Sequence, residues 1–126
     1  MNTALMLAAV GLAMVGVAHS VLGEVLVFRS LRTRGIVPTG GRPVLRERQV
    51  RILWGTWHLV TVLGWALSAL LWRLATVAVE TELAAWMADV AGAATLASGL
   101  LVFFATEGRH PAWFALMVIA ALVWWR

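Results

Sequence analysis

Cysteine and lysine are absent from this 126-residue sequence, so all ten basic residues are arginine, and charged residues make up only 13% of the chain. Without cysteine the chain can form no disulfide bond, no thiolate metal site and no cysteine nucleophile. A soluble domain carries about a quarter charged residues, so this composition excludes an ordinary soluble protein. The hydrophobic share of 62% indicates a membrane protein, and its length allows a single transmembrane domain, residues 1–126.

Four long apolar segments predict an all-α fold. They cover residues 4–28, 52–75, 83–106 and 111–125. The hydrocarbon core of a membrane is about 30 Å thick and needs about 20 helical residues, a length that the first three segments reach. The fourth segment has about 15 residues, or roughly 23 Å of helix. The sequence therefore leaves open whether this segment crosses the whole membrane. We predict an integral membrane four-helix bundle with antiparallel neighbours.

The first apolar segment also has a feature of signal peptides. Ala18-His19-Ser20 has the small-x-small pattern of a cleavage site. However, no basic residue precedes the apolar run, and the run continues past this site to Phe28. We therefore expect a retained helix.

The arginines predict the orientation in the membrane. Segment 29–51 carries seven of them and a single glutamate. By the positive-inside rule this loop is cytoplasmic and both termini lie outside, in a multi-pass protein of the inner (plasma) membrane. The loop would set the topology and contact anionic lipid headgroups. Nucleic-acid binding is not expected, because neither aromatic interleaving nor a suitable fold accompanies the charge.

Aromatic and polar residues of the second segment recur at spacings of three and four, which places them on one line of a helix. This stripe consists of Trp54, His58, Thr61, Trp65, Ser68 and Trp72. We expect its inner half, Trp54 to Thr61, to face a polar pocket, and its outer half to pack through aromatic and small residues.

Ionisable side chains predict where that pocket lies, since such groups usually face the interior of a membrane bundle. At 1.5 Å per residue from the inner edge, His19 lies about 15 Å deep and His58 about 10 Å deep. Glu24 lies about 7 Å deep, and His110 is at the edge itself. We expect these groups to gather in the cytoplasmic half of the bundle. Ser20 is four residues before Glu24, which predicts a hydroxyl–carboxylate hydrogen bond.

One interpretation of the pocket is a b-type haem between the first two helices. His19 and His58 would be the axial ligands, because imidazole binds iron and bundles hold cofactors between facing helices. Trp54, Thr61 and Trp65 would line the macrocycle.

A second interpretation is a divalent-metal or proton site. Its residues would be His19, Glu24, His58 and His110. Imidazole and carboxylate suit zinc, iron or manganese, and chains of Glu and His relay protons in transporters. No HxxxH or HExxH spacing is present, so the ligands would have to come from different helices.

A third interpretation, which we favour, is that the polar groups hold the helices in register. The protein would then be a small non-enzymatic scaffold or assembly protein, with a membrane-protein partner or as a homo-oligomer. Small residues at Ala91, Thr95 and Gly99, and at Gly64 and Ser68, would let neighbouring backbones approach closely. A Ser-His-Asp hydrolase is not expected, because the sequence has no strand–turn–helix context for the nucleophile.

The fragments AHSVLGE, WHLVTVLGW and GRHPAW resemble a family of small bacterial membrane proteins of uncharacterised activity. Its members carry an H-S-x-x-G-E motif, a W-H-L-T-type motif and a G-R-H motif in this order. The matching residues are His19, Ser20, Gly23 and Glu24; Trp57, His58, Leu59 and Thr61; and Gly108, Arg109 and His110. The resemblance would span the whole chain, and it implies a four-helix inner-membrane protein without implying an activity.

Overall fold

A computed structural model describes residues 2–33, 35–36, 38–40, 45–76 and 81–125. Within these residues the regular structure is entirely helical, which confirms the all-α prediction. The α-helices are α1 (Thr3–Gly23), α2 (Glu47–Thr76), α3 (Glu82–Ala105) and α4 (Ala112–Trp124).

Three helical segments of the described chain are long and apolar enough to cross a membrane. They are Thr3–Leu31, Glu47–Thr76 and Glu82–Phe104. The apolar helix α4 is shorter, with 13 residues. The contrast between three long segments and one short segment agrees with the lengths expected from the sequence.

The first helix changes its winding beyond α1. A π-helical turn covers Glu24–Phe28, and a 3₁₀ turn covers Arg29–Leu31. At Arg32 the backbone becomes extended, with φ −90° and ψ 118°. The helical part therefore continues to Leu31, past the predicted end at residue 28.

The second helix begins at Glu47, earlier than the apolar run that starts at residue 52. Its first turn is stabilised by polar groups, because Gln49 Oε1 accepts a hydrogen bond from the Arg46 N–H at 2.7 Å. A side chain that reaches back to the backbone N–H before the helix is a capping interaction. Hydrophobic periodicity does not detect such a charged turn, so the basic loop is shorter than residues 29–51.

The residues group into two compact units, Gly16–Leu63 and Met1–Val15 with Gly64–Arg126. The prediction of a single domain stays a prediction. The unit formed by Met1–Val15 and Gly64–Arg126 has a hydrophobic core with residues from α1, α2, α3 and α4. Its buried members are Leu5, Ala8, Ala9, Leu12, Leu71, Ala75, Ala88, Ala91, Leu116, Ile119 and Val123. In the unit Gly16–Leu63, Phe28 and Val50 are buried.

Small residues bring α3 and α4 close together. Ala91, Thr95 and Gly99 are all buried. A Cβ atom at Gly99 would lie 3.2 Å from the Trp113 carbonyl oxygen, so the close approach predicted for this face is confirmed. The same prediction for Gly64 is wrong, because a Cβ atom there would meet nothing within 4 Å.

Replacing Gly99 by leucine should lower the free energy of unfolding by about 1–3 kcal/mol, because a large side chain would overpack a close helix contact. Gly64→Leu is the matched control, since its side chain enters open space and leucine is a better helix former than glycine. SDS titration in mixed micelles, followed by circular dichroism, measures both. Equal stability of the two variants would contradict the close α3–α4 contact.

Candidate functional site

The polar stripe of α2 donates hydrogen bonds to backbone carbonyls of α1. In the unit that contains Met1–Val15, Ser68 Oγ donates to the Ala9 carbonyl at 2.7 Å. Trp65 Nε1 donates to the Ala13 carbonyl at 3.3 Å. Ala9 and Ala13 have small side chains, so the donors can reach the backbone. These stripe residues are therefore used in helix pairing.

The unit Gly16–Leu63 contains the same type of contact. Trp57 Nε1 donates to the His19 carbonyl at 3.0 Å, and Thr61 Oγ1 donates to the Gly16 carbonyl at 3.4 Å. Thr61 is only 3% exposed, so its hydroxyl needs a protein partner. Trp57 lies outside the predicted stripe and is nevertheless part of this interface.

A chain of hydrogen bonds fixes the orientation of His58. Ser20 Oγ lies 2.8 Å from His58 Nδ1 and donates to Thr61 Oγ1 at 2.9 Å. Each hydroxyl has one proton, and Thr61 gives its proton to the Gly16 carbonyl. Ser20 therefore accepts from His58, which assigns the proton of the neutral imidazole to Nδ1. His58 Nε2 is then a buried acceptor, without a hydrogen-bond partner among the residues that the structure describes.

His19 packs directly on Trp57. The two rings are stacked, with centroids 4.5 Å apart and planes at 9°. His19 Nε2 lies 3.2 Å from the Trp57 carbonyl and donates to it, so each residue gives a hydrogen bond to the backbone of the other. Gly23 makes this possible, because a Cβ atom at that position would overlap the Trp57 indole.

The Glu24 carboxylate contacts two side chains, those of Arg32 and Trp54. Its Oε1 forms an ion pair with Arg32, and its Oε2 accepts from Trp54 Nε1 at 3.3 Å. Both charged side chains are about 30% exposed. The predicted bond between Ser20 and Glu24 is wrong, because the Ser20 hydroxyl is used by α2 residues and the carboxylate by Arg32 and Trp54.

The haem interpretation does not fit this geometry. A macrocycle between two axial imidazoles needs a ring nitrogen from each helix pointed at the iron. His19 Nε2 instead faces a carbonyl of α2, and its ring stacks on Trp57. The proposed lining residue Trp54 packs edge-on against His58, with ring centroids 4.8 Å apart. Direct contacts between the first helix and α2 thus use His19 and Trp54, two of the residues that the haem interpretation assigned to the cofactor.

Three of the four predicted metal ligands, His19, Glu24 and His58, lie in the unit Gly16–Leu63. Over the described residues, no group of three or more His, Asp or Glu side chains could hold a metal ion. His110 belongs to the other unit and is exposed. Its Nδ1 accepts a hydrogen bond from the Ala112 N–H at 3.2 Å, at the start of α4. His110 therefore stabilises a helix end, after a turn in which Gly108 has φ +73°.

Sequence periodicity does not identify four residues of this interface. Gly23 and Trp57 occur in the motifs of the family resemblance, but the motifs give them no role. Phe28 is 2% exposed and meets the Trp57 ring edge-on at 5.6 Å, yet it lies within an apolar run and has no distinguishing signal. Arg32 is one of seven loop arginines, and only the folded chain shows that it pairs with Glu24.

Gly23→Ala should lower the free energy of unfolding by about 1–3 kcal/mol, since the added methyl group must displace the Trp57 indole from its stack and hydrogen bond. Gly55→Ala is the matched control on α2, because its Cβ atom would enter open space. We expect this control to be stabilised by up to about 1 kcal/mol, through helix propensity. The SDS titration measures both, and a neutral Gly23→Ala variant would argue against the close contact.

Comparisons with known proteins give no support for a family. No family model, no curated protein and no solved structure matches the chain. The resemblance based on the three motifs stays a prediction.

Proposed function

We propose that this chain is an integral membrane protein that acts as a non-enzymatic scaffold or assembly protein in the bacterial inner membrane. The three long apolar helical segments support insertion in a bilayer. The proposed arrangement is one antiparallel bundle with both termini outside and the basic loop in the cytoplasm. Its partners would be anionic lipid headgroups at the loop and either another membrane protein or further copies of the chain.

The main support for this proposal is that polar residues of the first helix form contacts with α2. His19, Ser20 and Glu24 on the first helix each contact an α2 side chain or carbonyl. In hydrocarbon a polar group must find a partner inside the protein, and an interhelical hydrogen bond contributes about 0.6 kcal/mol on average. Several such bonds in series fix one register of the helix pair. Groups used in this way support a structural role better than a catalytic one.

A second candidate function is ligand binding at His58. Its Nδ1 donates to Ser20 and its buried Nε2 is left as an acceptor, which is how imidazoles that bind metals are oriented by a neighbouring oxygen. The ligand would be a proton or one transition-metal ion, with any further metal ligands coming from outside the described residues. This candidate needs only His58, and does not require the four-residue site inferred from the sequence.

The two candidates differ in their response to His58→Asn. An asparagine amide can replace Nδ1 as the donor to Ser20 but has no group at the position of Nε2. Under the scaffold proposal, the purified protein is colourless and has no stoichiometric metal, and His58→Asn retains its stability. Ser20→Ala should lower the free energy of unfolding by about 0.5–1.5 kcal/mol, since it removes hydrogen bonds.

Metal analysis and absorbance spectra of the oxidised and dithionite-reduced protein provide the test. Stoichiometric metal that is lost in His58→Asn and bound more weakly in Ser20→Ala would overturn the scaffold proposal in favour of ligand binding. A Soret band would contradict both the scaffold proposal and the geometric argument against haem.

The proposed orientation can be tested directly because the chain has no native cysteine. In intact cells, a membrane-impermeant maleimide should label Glu82→Cys, which lies at the start of α3 on the proposed outer side. Ile36→Cys and Glu107→Cys should react only after the membrane is permeabilised, because the arginine-rich loop is retained inside and the proposed antiparallel bundle places the α3–α4 turn on the same side. The reverse labelling pattern would overturn the orientation.

A further inference from the structure

Three arginines line one side of a shallow surface concavity at the start of α2, which is open to solvent. Arg46, Arg48 and Arg51, together with Glu47 and Ile52, line a space of about 620 Å³. The three arginines are exposed, so their guanidinium groups can reach a ligand. With three positive side chains and one negative one, the lining has an excess of positive charge.

The protein itself neutralises little of this charge. Arg51 meets Glu47 at 3.4 Å, and both side chains are more than half exposed, so this ion pair is weak. Arg46 and Arg48 form no ion pair within the described chain. Arg32 differs, because Glu24 pairs with it and both are half-buried. The concavity therefore offers guanidinium groups that an external anion can bind.

These arginines lie at the N-terminus of α2, where positive side chains are electrostatically unfavourable. The N-terminus of a helix is its positive end and disfavours cationic side chains. Arg48 and Arg51 are three residues apart, so they also repel each other on one helix face. An anion bound between them would remove both conflicts, and the backbone N–H groups of the first turn would add to its binding.

The concavity also has an apolar side. Ile52 is 53% exposed and begins the apolar stretch of α2, with Leu53 beside it at 48%. Arg48 lies about 6 Å before Ile52 along the helix axis, comparable to the thickness of one headgroup layer. A ligand that contacts these arginines and Ile52 together would have an anionic head and an apolar tail.

We propose that Arg46, Arg48 and Arg51 form a binding site for the phosphate group of an anionic phospholipid, whose acyl chain lies against Ile52. Guanidinium groups bind phosphate oxygens in bidentate pairs, which lysine cannot do. The inference rests on the proposed membrane function and adds to it a specific lipid site, beyond the general attraction of a basic loop to headgroups.

The test uses the full chain in nanodiscs that contain spin-labelled phosphatidylglycerol or phosphatidylcholine. The fraction of motionally restricted label gives the relative association of the two lipids. We expect selectivity for phosphatidylglycerol, reduced about fivefold for each arginine replaced in Arg48→Gln and Arg51→Gln. Arg73→Gln is the matched control, because this exposed arginine is near the other end of the same helix. Arg48→Lys should retain part of the selectivity, because the charge remains.

Other results would contradict either the lipid site or the proposed membrane function. Unchanged selectivity in Arg48→Gln and Arg51→Gln would overturn the lipid site, because these arginines would then not contact the lipid. An equal loss in Arg73→Gln would also overturn it, because net charge alone would then explain binding. Displacement of the labelled lipid by millimolar inorganic phosphate would also overturn it, by showing a site for free phosphate. A chain that does not enter the nanodisc would overturn the proposed membrane function itself, whereas entry without selectivity would overturn only this inference.

Discussion

The hydrogen bonds from α2 side chains to α1 carbonyls are the interaction on which the rest of the structure depends. Trp57, Thr61, Trp65 and Ser68 all use them. Helix carbonyls already accept one backbone hydrogen bond, and their second lone pair is available to a neighbour that comes close enough. In an apolar surrounding this is the main way to satisfy a tryptophan or threonine donor, so within each compact unit the distance and the register of the two helix segments are set together.

Glycine and aromatic residues contribute to this packing in pairs. Gly23 receives the Trp57 indole, and a Cβ atom at Gly92 on α3 would lie 3.0 Å from the Trp124 ring. In both places a large flat side chain fills the space that a missing side chain leaves. The high tryptophan content, eight residues in all, is therefore partly a packing requirement.

The sequence predicts the face of α2 but not its partners. A spacing of three and four identifies His58 and Thr61 on one line, and both do contact α1. Periodicity gives an angle around one helix axis and contains no information about the neighbouring helix, so the haem, metal and register interpretations all remained compatible with it. Trp57 is off that line and still reaches α1, since a long side chain covers a wider arc than its Cα position suggests.

Sequence patterns also fail to predict where the helices begin and end. Hydropathy finds the apolar centre of each helix, but the start of α2 depends on Gln49 and the backbone of Arg46. The ion pair of Glu24 with Arg32 depends on the π and 3₁₀ turns that lie between them, where the regular angular spacing of an α-helix no longer applies. Contacts that arise from irregular winding are the ones that a pattern of fixed period cannot predict.

The pairing of Glu24 with Arg32 means that the charge of Arg32 has different effects before and after folding. An arginine in an unfolded, newly made loop contributes its full positive charge to the choice of which flank stays in the cytoplasm. Once the first helix is wound and Glu24 holds it, that charge is neutralised locally and faces the protein. For a chain inserted as proposed, Arg32 would thus serve first as a topogenic signal and afterwards as the counterion of an intramembrane carboxylate.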